Sequence, residues 1–128
     1  MIRDEANEIL EDISLAKQKG LRAAHLSHGE QRQLEIGITL ATHPQIIFLD
    51  EPTQGMNKVE KADIMEHVVR FSQEGRATFV IVEHDMDVVF SVSQRIVVLH
   101  TGTVIADGTP EEIRNNDLVR RVYLGEDR

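Results

Sequence analysis

Cysteine and tryptophan are both absent from the 128 residues. Without cysteine there can be no disulfide, thiolate metal site or cysteine nucleophile, and the chain suits a reducing compartment. Aromatic residues make up only 4% of the chain, so its core is expected to be aliphatic. Basic residues are scarce beside acidic ones, 14 against 22, which leaves a net charge of -8. A surface of that sign repels phosphate backbones and excludes a broad nucleic-acid face. It does not exclude a small anion site built from backbone N–H groups. No apolar run approaches the roughly 20 residues needed to cross a bilayer. The opening MIRDEANEIL is too charged to read as a secretory signal. With three prolines and no Pro- or Ser-rich stretch, no internal linker is visible.

Hydrophobic residues make up 41% of the chain and fall in patterned blocks. Ala6, Ile9, Leu10, Ile13 and Ala16 step by three and four, predicting a helix over 3–17 that Gly20 punctuates. Residues 21–27 read as a loop. Leu34, Ile38 and Ala41 predict a second helix over 30–42, stopped by His43-Pro44. The continuous blocks 46–49 and 78–82 predict strands covered on both faces. Between them, Asn57 with Glu60 three residues on predicts a capped helix over 57–72, closed by Gly75. A short helix is expected over 85–91. A hairpin is expected around Thr101-Gly102, and a last helix is capped by Thr109 with Pro110 at its first position. Alternating buried strands and helices followed by a hairpin make an α/β fold.

Parallel strands carry their chemistry at their carboxyl ends. Here the first strand ends in Asp50-Glu51 and the second in Glu83-His84. An aspartate at such an end suits Mg²⁺, a hard cation that takes oxygen ligands. A neighbouring carboxylate can orient or deprotonate water. The plain alternative is a pair of solvated acids at a strand end. Leu26-Ser27-His28-Gly29-Glu30 stands directly before the second helix. It suits anion binding at a helix N-terminus, or simply an N-cap in which Glu30 completes a capping box. His84 alone is as consistent with an exposed turn histidine.

Taken together, in this order and spacing, these segments resemble the carboxyl-terminal half of an ABC-transporter ATP-binding subunit. That family carries a signature loop (usually Leu-Ser-Gly-Gly-Gln), a Walker B strand, a D-loop and a switch histidine. The corresponding residues here are Leu26 to Glu30, Ile46 to Glu51, Pro52 to Asn57, and His84. The resemblance implies a partial P-loop NTPase-like domain spanning 1–128, with mostly parallel buried strands, flanking helices and a carboxyl-terminal hairpin. Residues 1–42 would end the helical subdomain, and 43–128 would hold the Walker B, D-loop, switch and terminal parts. It further implies ATP and Mg²⁺ as ligands, with Asp50 on the metal and Glu51 as the catalytic carboxylate. His84 would sit on the γ-phosphate. Ser27, His28, Gly29 and Glu30 would face a nucleotide carried by a second subunit, and Gln54, Gly55 and Met56 would line the dimer seam. The implied partners are that second ATP-binding subunit and transmembrane permease subunits. The chain would then sit peripherally on the cytoplasmic face of the plasma membrane.

The segments Gln31 to Ile36, Gly55-Met56-Asn57, Glu83 to Met86 and Tyr123 to Glu126 are similar to the branched-chain, hydrophobic amino-acid importer type. A urea-type importer subunit is a near relative. His28, Glu30 and Asn57 depart from the wider family, which usually has Gly, Gln and Asp there. Nothing matches Gly-x-x-x-x-Gly-Lys-Ser/Thr, so the phosphate-cradling Walker A half is expected to be absent. Isolated, such a chain is expected to bind MgATP weakly and hydrolyse it negligibly. Its strands, lacking neighbours, are expected to drive self-association or partial unfolding. The alternatives are a non-catalytic half-domain that assists a complete ATPase, and a cytoplasmic ABC-type ATPase unconnected with transport. A metal site at His25 and His28 is disfavoured, because ligand spacing of three suits a helix and this segment reads as loop.

Overall fold

The structure, a computed structural model, describes residues 2–125. Within these the chain divides into two compact units, the first running to His84 and the second starting at Asp85.

The first unit opens with helix α1 (Ile2–Asp12). The apolar stripe continues to Ala16, yet the helix stops short of the expected Lys17. Ser14 turns into the left-handed region at φ 61°. Its N–H donates to Glu11 O and that of Leu15 to Leu10 O, which is the Schellman closure of a helix end. The turn tucks Ile13 and Leu15 inward, leaving them 1% and 2% exposed. A continuous helix would have placed these two residues, two positions apart, on different faces.

Helix α2 (His28–Leu40) follows, begun by the expected capping box of Ser27 and Glu30. It crosses close to α1: a Cβ on Gly37 would stand 3.2 Å from Ile9 of that helix and 2.6 Å from the end of Ile13, so any side chain here would require Ile13 to shift. Strand β1 (Ile46–Asp50) leads through a loop into α3 (Lys58–Gln73), capped by Asn57 and Glu60 as the sequence predicts. Gly75 at φ 71° ends α3 in the same closure that ends α1, with Arg76 N–H on Phe71 O. Strand β2 (Thr78–Val82) pairs parallel with β1, Ile46 opposite Thr78 and Asp50 opposite Val82. Ile64, Met65, Val68 and Phe71 of α3 are buried, as is Ile47 of β1.

The expectation of strands covered on both faces is not met. Phe48 is 73% exposed, and Ile46, Val80 and Val82 are exposed beside it. A two-stranded parallel sheet has a second face and two edges, and α3 covers one face only. The expected lack of neighbours for the blocks around Ile46 and Val80 therefore agrees with the structure.

The second unit holds α4 (Met86–Val92), capped by Asp85, and the antiparallel hairpin β3 (Ile96–His100) and β4 (Thr103–Gly108). The predicted last helix is in fact two, α5 (Pro110–Arg114) and α6 (Asp117–Tyr123). Asn116 interrupts them by capping α6 through Val119 N–H. Ile96, Ile113 and Val119 form the local core with Val89, Phe90, Val98 and Ile105 packed around it. The tail motif that began at Tyr123 runs into Glu126, which lies outside the described residues.

Candidate functional site

The parallel pairing of β1 with β2 sets the site. Because the strands run the same way in register, Asp50-Glu51 and Glu83-His84 emerge side by side. Glu51 extends the pairing by one bond, its N–H donating to Val82 O at 2.7 Å. It does so at φ 46°, a left-handed backbone that costs a non-glycine residue energy and recurs at functional sites. The side chain then stands 2.9 Å from His84 Nδ1. Both groups reach solvent, Glu51 at 38% and His84 at 73% side-chain exposure. Asp50 is exposed at the end of β1.

A second clamp lies beneath this pair. Glu83 Oε1 accepts from the backbone N–H of Thr53 at 3.0 Å and from its hydroxyl at 2.6 Å. Thr53 is 1% exposed and Glu83 half-buried, so the loop after β1 is pinned to the end of β2 by a part-buried charge-assisted contact. The pairing of Thr53 with Glu83 is not legible in the sequence. The only available signal was that Glu83 directly precedes His84.

Gln54 and Gly55 continue the same loop and are exposed, with Gly55 at φ 76°. A Cβ on Gly55 would lie 4.0 Å from His28 Nε2, so His28 stands against this loop. Gly29 is buried, with Glu60 of α3 as its nearest neighbour. Ser27 and Glu30 serve the helix cap. Glu30 Oε2 accepts from Ser27 N–H at 2.8 Å, and Ser27 Oγ accepts from Glu30 N–H at 3.2 Å. The structure thus brings together Glu51 with His84, and His28 with Gly55. Ser27 and Glu30 are engaged with each other.

No three His, Asp or Glu side chains gather as a cation site among the described residues. A lone exposed carboxylate such as Asp50 still fits Mg²⁺ chemistry. That ion keeps several waters and is typically held by one or two carboxylates together with substrate phosphates.

An α/β unit with acids and a histidine at the ends of adjacent parallel strands defines a class, and solved structures identify it. The ATP-binding cassette of an ABC transporter in its ADP conformation matches with a TM-score of 0.85 and 32% identity, over 96% of this chain and 50% of that one. A cassette from the cbiONQ complex of Clostridium perfringens matches with a TM-score of 0.83 and 29% identity, over 99% of this chain and 51% of that one. The fold is that of part of an ATP-binding cassette. The ABC transporter family model matches residues 2–54, and that of the branched-chain amino acid ATP-binding cassette transporter matches residues 103–128. The chain belongs to the ABC transporter ATP-binding family. The high-affinity branched-chain amino acid transport ATP-binding protein LivG of Salmonella typhimurium is 43% identical over 96% of this chain and 48% of its own length. BraF of Pseudomonas aeruginosa, named for the same transport, is 42% identical over 91% of this chain and 46% of its own. The chain spans about half the length of the curated relatives it matches. No helix among the described residues is long and apolar enough to cross a membrane.

Proposed function

We propose that this chain supplies the hydrolytic half of an ATP-driven importer subunit for branched-chain or other hydrophobic amino acids. The observation that carries the reading is the Glu51–His84 pair, 2.9 Å apart at the ends of two parallel strands. Glu51 accepts a hydrogen bond from the attacking water and draws its proton as the nucleophile forms. His84 holds the Glu51 carboxylate through Nδ1, leaving Nε2 to meet the terminal phosphate. The Glu83–Thr53 clamp keeps the loop after β1 fixed to β2, so that Glu51 and His84 keep their spacing. Mg²⁺, when bound, neutralises charge on the phosphates, and Asp50 is the residue that would hold it.

Ser27, His28, Gly29 and Glu30 face a nucleotide on a second ATP-binding subunit, and Gln54 and Gly55 line the seam between the two. The closeness of His28 to Gly55 supports this assignment, because it places the two loops on one surface. Permease subunits would be the membrane partners, and the location the cytoplasmic face of the membrane. The relatives named for branched-chain amino acid transport support that substrate class.

The sequence contains no Gly-x-x-x-x-Gly-Lys-Ser/Thr, so triphosphate must be cradled by residues outside these 128. Calorimetry on the chain alone should show no one-to-one MgATP binding at micromolar ligand. Co-expression with the phosphate-loop half of a relative such as LivG should restore hydrolysis. Glu51→Gln should then lower it at least about 100-fold. Hydrolysis by the chain alone, or an unimpaired Glu51→Gln assembly, would overturn the reading.

A further inference from the structure

Glu30 stands where the wider family usually has Gln, beside Ser27 and Gly29, which the proposed function turns toward a triphosphate. A carboxylate free to swing toward those phosphates would repel them. Both of its oxygens are instead engaged. Oε2 accepts from the backbone N–H of Ser27 at 2.8 Å, within the capping box. Oε1 accepts from Gln18 Nε2 at 3.2 Å. Gln18 ends a short 3-10 turn, Ala16–Gln18, that follows the left-handed bend at Ser14. Its backbone is fixed on both sides, with Gln18 N–H on Leu15 O at 3.0 Å and Leu21 N–H on Gln18 O at 2.9 Å. Leu15 is buried, so the turn that carries Gln18 is anchored in the core.

One end of the amide is left unsatisfied. Gln18 Oε1 is buried and has no hydrogen-bond partner among the described residues, although buried acceptors are nearly always paired. Turning the amide over would set that oxygen against Glu30 Oε1, two acceptors in repulsion. The charge of Glu30 thus selects the donating orientation, and the charge-assisted bond offsets the orphaned acceptor. On the other side of the cap, Ser27 Oγ accepts from Glu30 N–H at 3.2 Å, which uses a lone pair and leaves the hydroxyl proton for an anion.

We propose that Gln18 is a positioning residue of the nucleotide site, an inference that rests on the ATPase reading. It locks the Glu30 carboxylate into the helix cap and so lets an acidic residue occupy the signature loop. With Gln18 in place, Ser27 offers its hydroxyl proton to the terminal phosphate while the charge of Glu30 stays tied to two donors. Without it, the carboxylate keeps one exposed bond and swings into the anion site.

The test uses the assembly with the phosphate-loop half of LivG and, for one measurement, the whole chain by itself. Gln18→Met removes the donor and keeps the length of the side chain. It should raise KM for MgATP about threefold, the size of a surface-charge effect, and leave kcat within about twofold. Added salt should shrink the rise. In the Glu30→Gln background, where no charge needs holding, the same Gln18→Met change should leave KM unmoved. A purely structural role for Gln18 would raise KM in both backgrounds, since a glutamine at position 30 also accepts from the amide. In the chain alone, exchange of the Ser27 amide, read by NMR, should quicken in Gln18→Met as Glu30 Oε2 lets go. An active assembly whose KM ignores Gln18→Met would overturn the proposal. So would an equal rise in the Glu30→Gln background, or a Ser27 amide that exchanges as before. Failure of the ATPase reading is seen separately, as a wild-type assembly that hydrolyses nothing, and it would overturn this proposal too.

Discussion

The two sheets of this protein solve one problem in opposite ways. Strands β3 and β4 are joined by a tight turn with Thr101 at φ 47° and Gly102 at φ 78°. Their buried side rests on α5 and α6, which follow directly in the chain. Strands β1 and β2 are parallel and need the whole of α3 to connect them. The connection covers one face and leaves Phe48 and Val82 open on the other. A hairpin can be completed locally, whereas a parallel pair depends on elements distant in sequence. The reactive residues sit on the pair that is less complete.

The comparison can be broken most forcefully at Phe71 of α3, which is fully buried and flanked by the Arg70 and Arg76 guanidinium groups. Phe71→Ala should destabilise the first unit by about 3–5 kcal/mol. Urea unfolding checks the size, and hydrogen exchange should show the hairpin amides still protected. The counterpart in the second unit is Ile113, 3% exposed. Ile113→Ala should cost about 2–4 kcal/mol, with exchange now accelerating in β3 and β4. If either variant melts both sheets equally, the two units do not differ in the way argued.

Removing the N-cap with Asn57→Ala should cost about 1 kcal/mol, read as a lowered urea midpoint at unchanged slope. Phe48→Ser should change stability by less than about 0.5 kcal/mol, because the ring is largely in water already. It should, however, shift sedimentation toward the monomer if the open face drives self-association.

The smallest effect belongs to the hairpin. Arg95 donates to both carboxylate oxygens of Asp107, at 2.8 and 2.6 Å, and this hydrogen bonding holds the Asp107 carboxyl below its ordinary range. A carboxyl lowered on folding stabilises the native state above its unfolded value. That contribution is lost as pH falls through the folded one. The melting temperature of Asp107→Asn should therefore lose slightly less than the wild type as pH drops from about 5 to 2. The pair is exposed, so added salt should erase the difference.

Elements with local signals were legible in the sequence. Helix α3 announces itself by Asn57, Glu60 and Gly75, and the hairpin by Thr101-Gly102. Helix α2 begins directly after its cap at Ser27. What escaped were places where packing overrides local pattern. The stripe of α1 runs on past Asp12, but both Ile13 and Leu15 are buried, and the chain leaves the helix to achieve it. Asn116 carries no signal of its own in the sequence, since an asparagine reads as a cap only when its neighbours bend.

The candidate site divides along the same line. Order along the chain marks Asp50, Glu51 and His84, because strand ends are recognisable from where apolar blocks stop. Thr53 with Glu83, and Gln18 with Glu30, are 30 and 12 residues apart and carry no periodic signal. The chain's own residues thus determine its helices, its turns and its kind of chemistry, through patterns spanning a few positions. Which side chains meet was decided only by the parallel register and by the bend at Ser14. Pairing at long range depends on three-dimensional closure, and no local pattern encodes it.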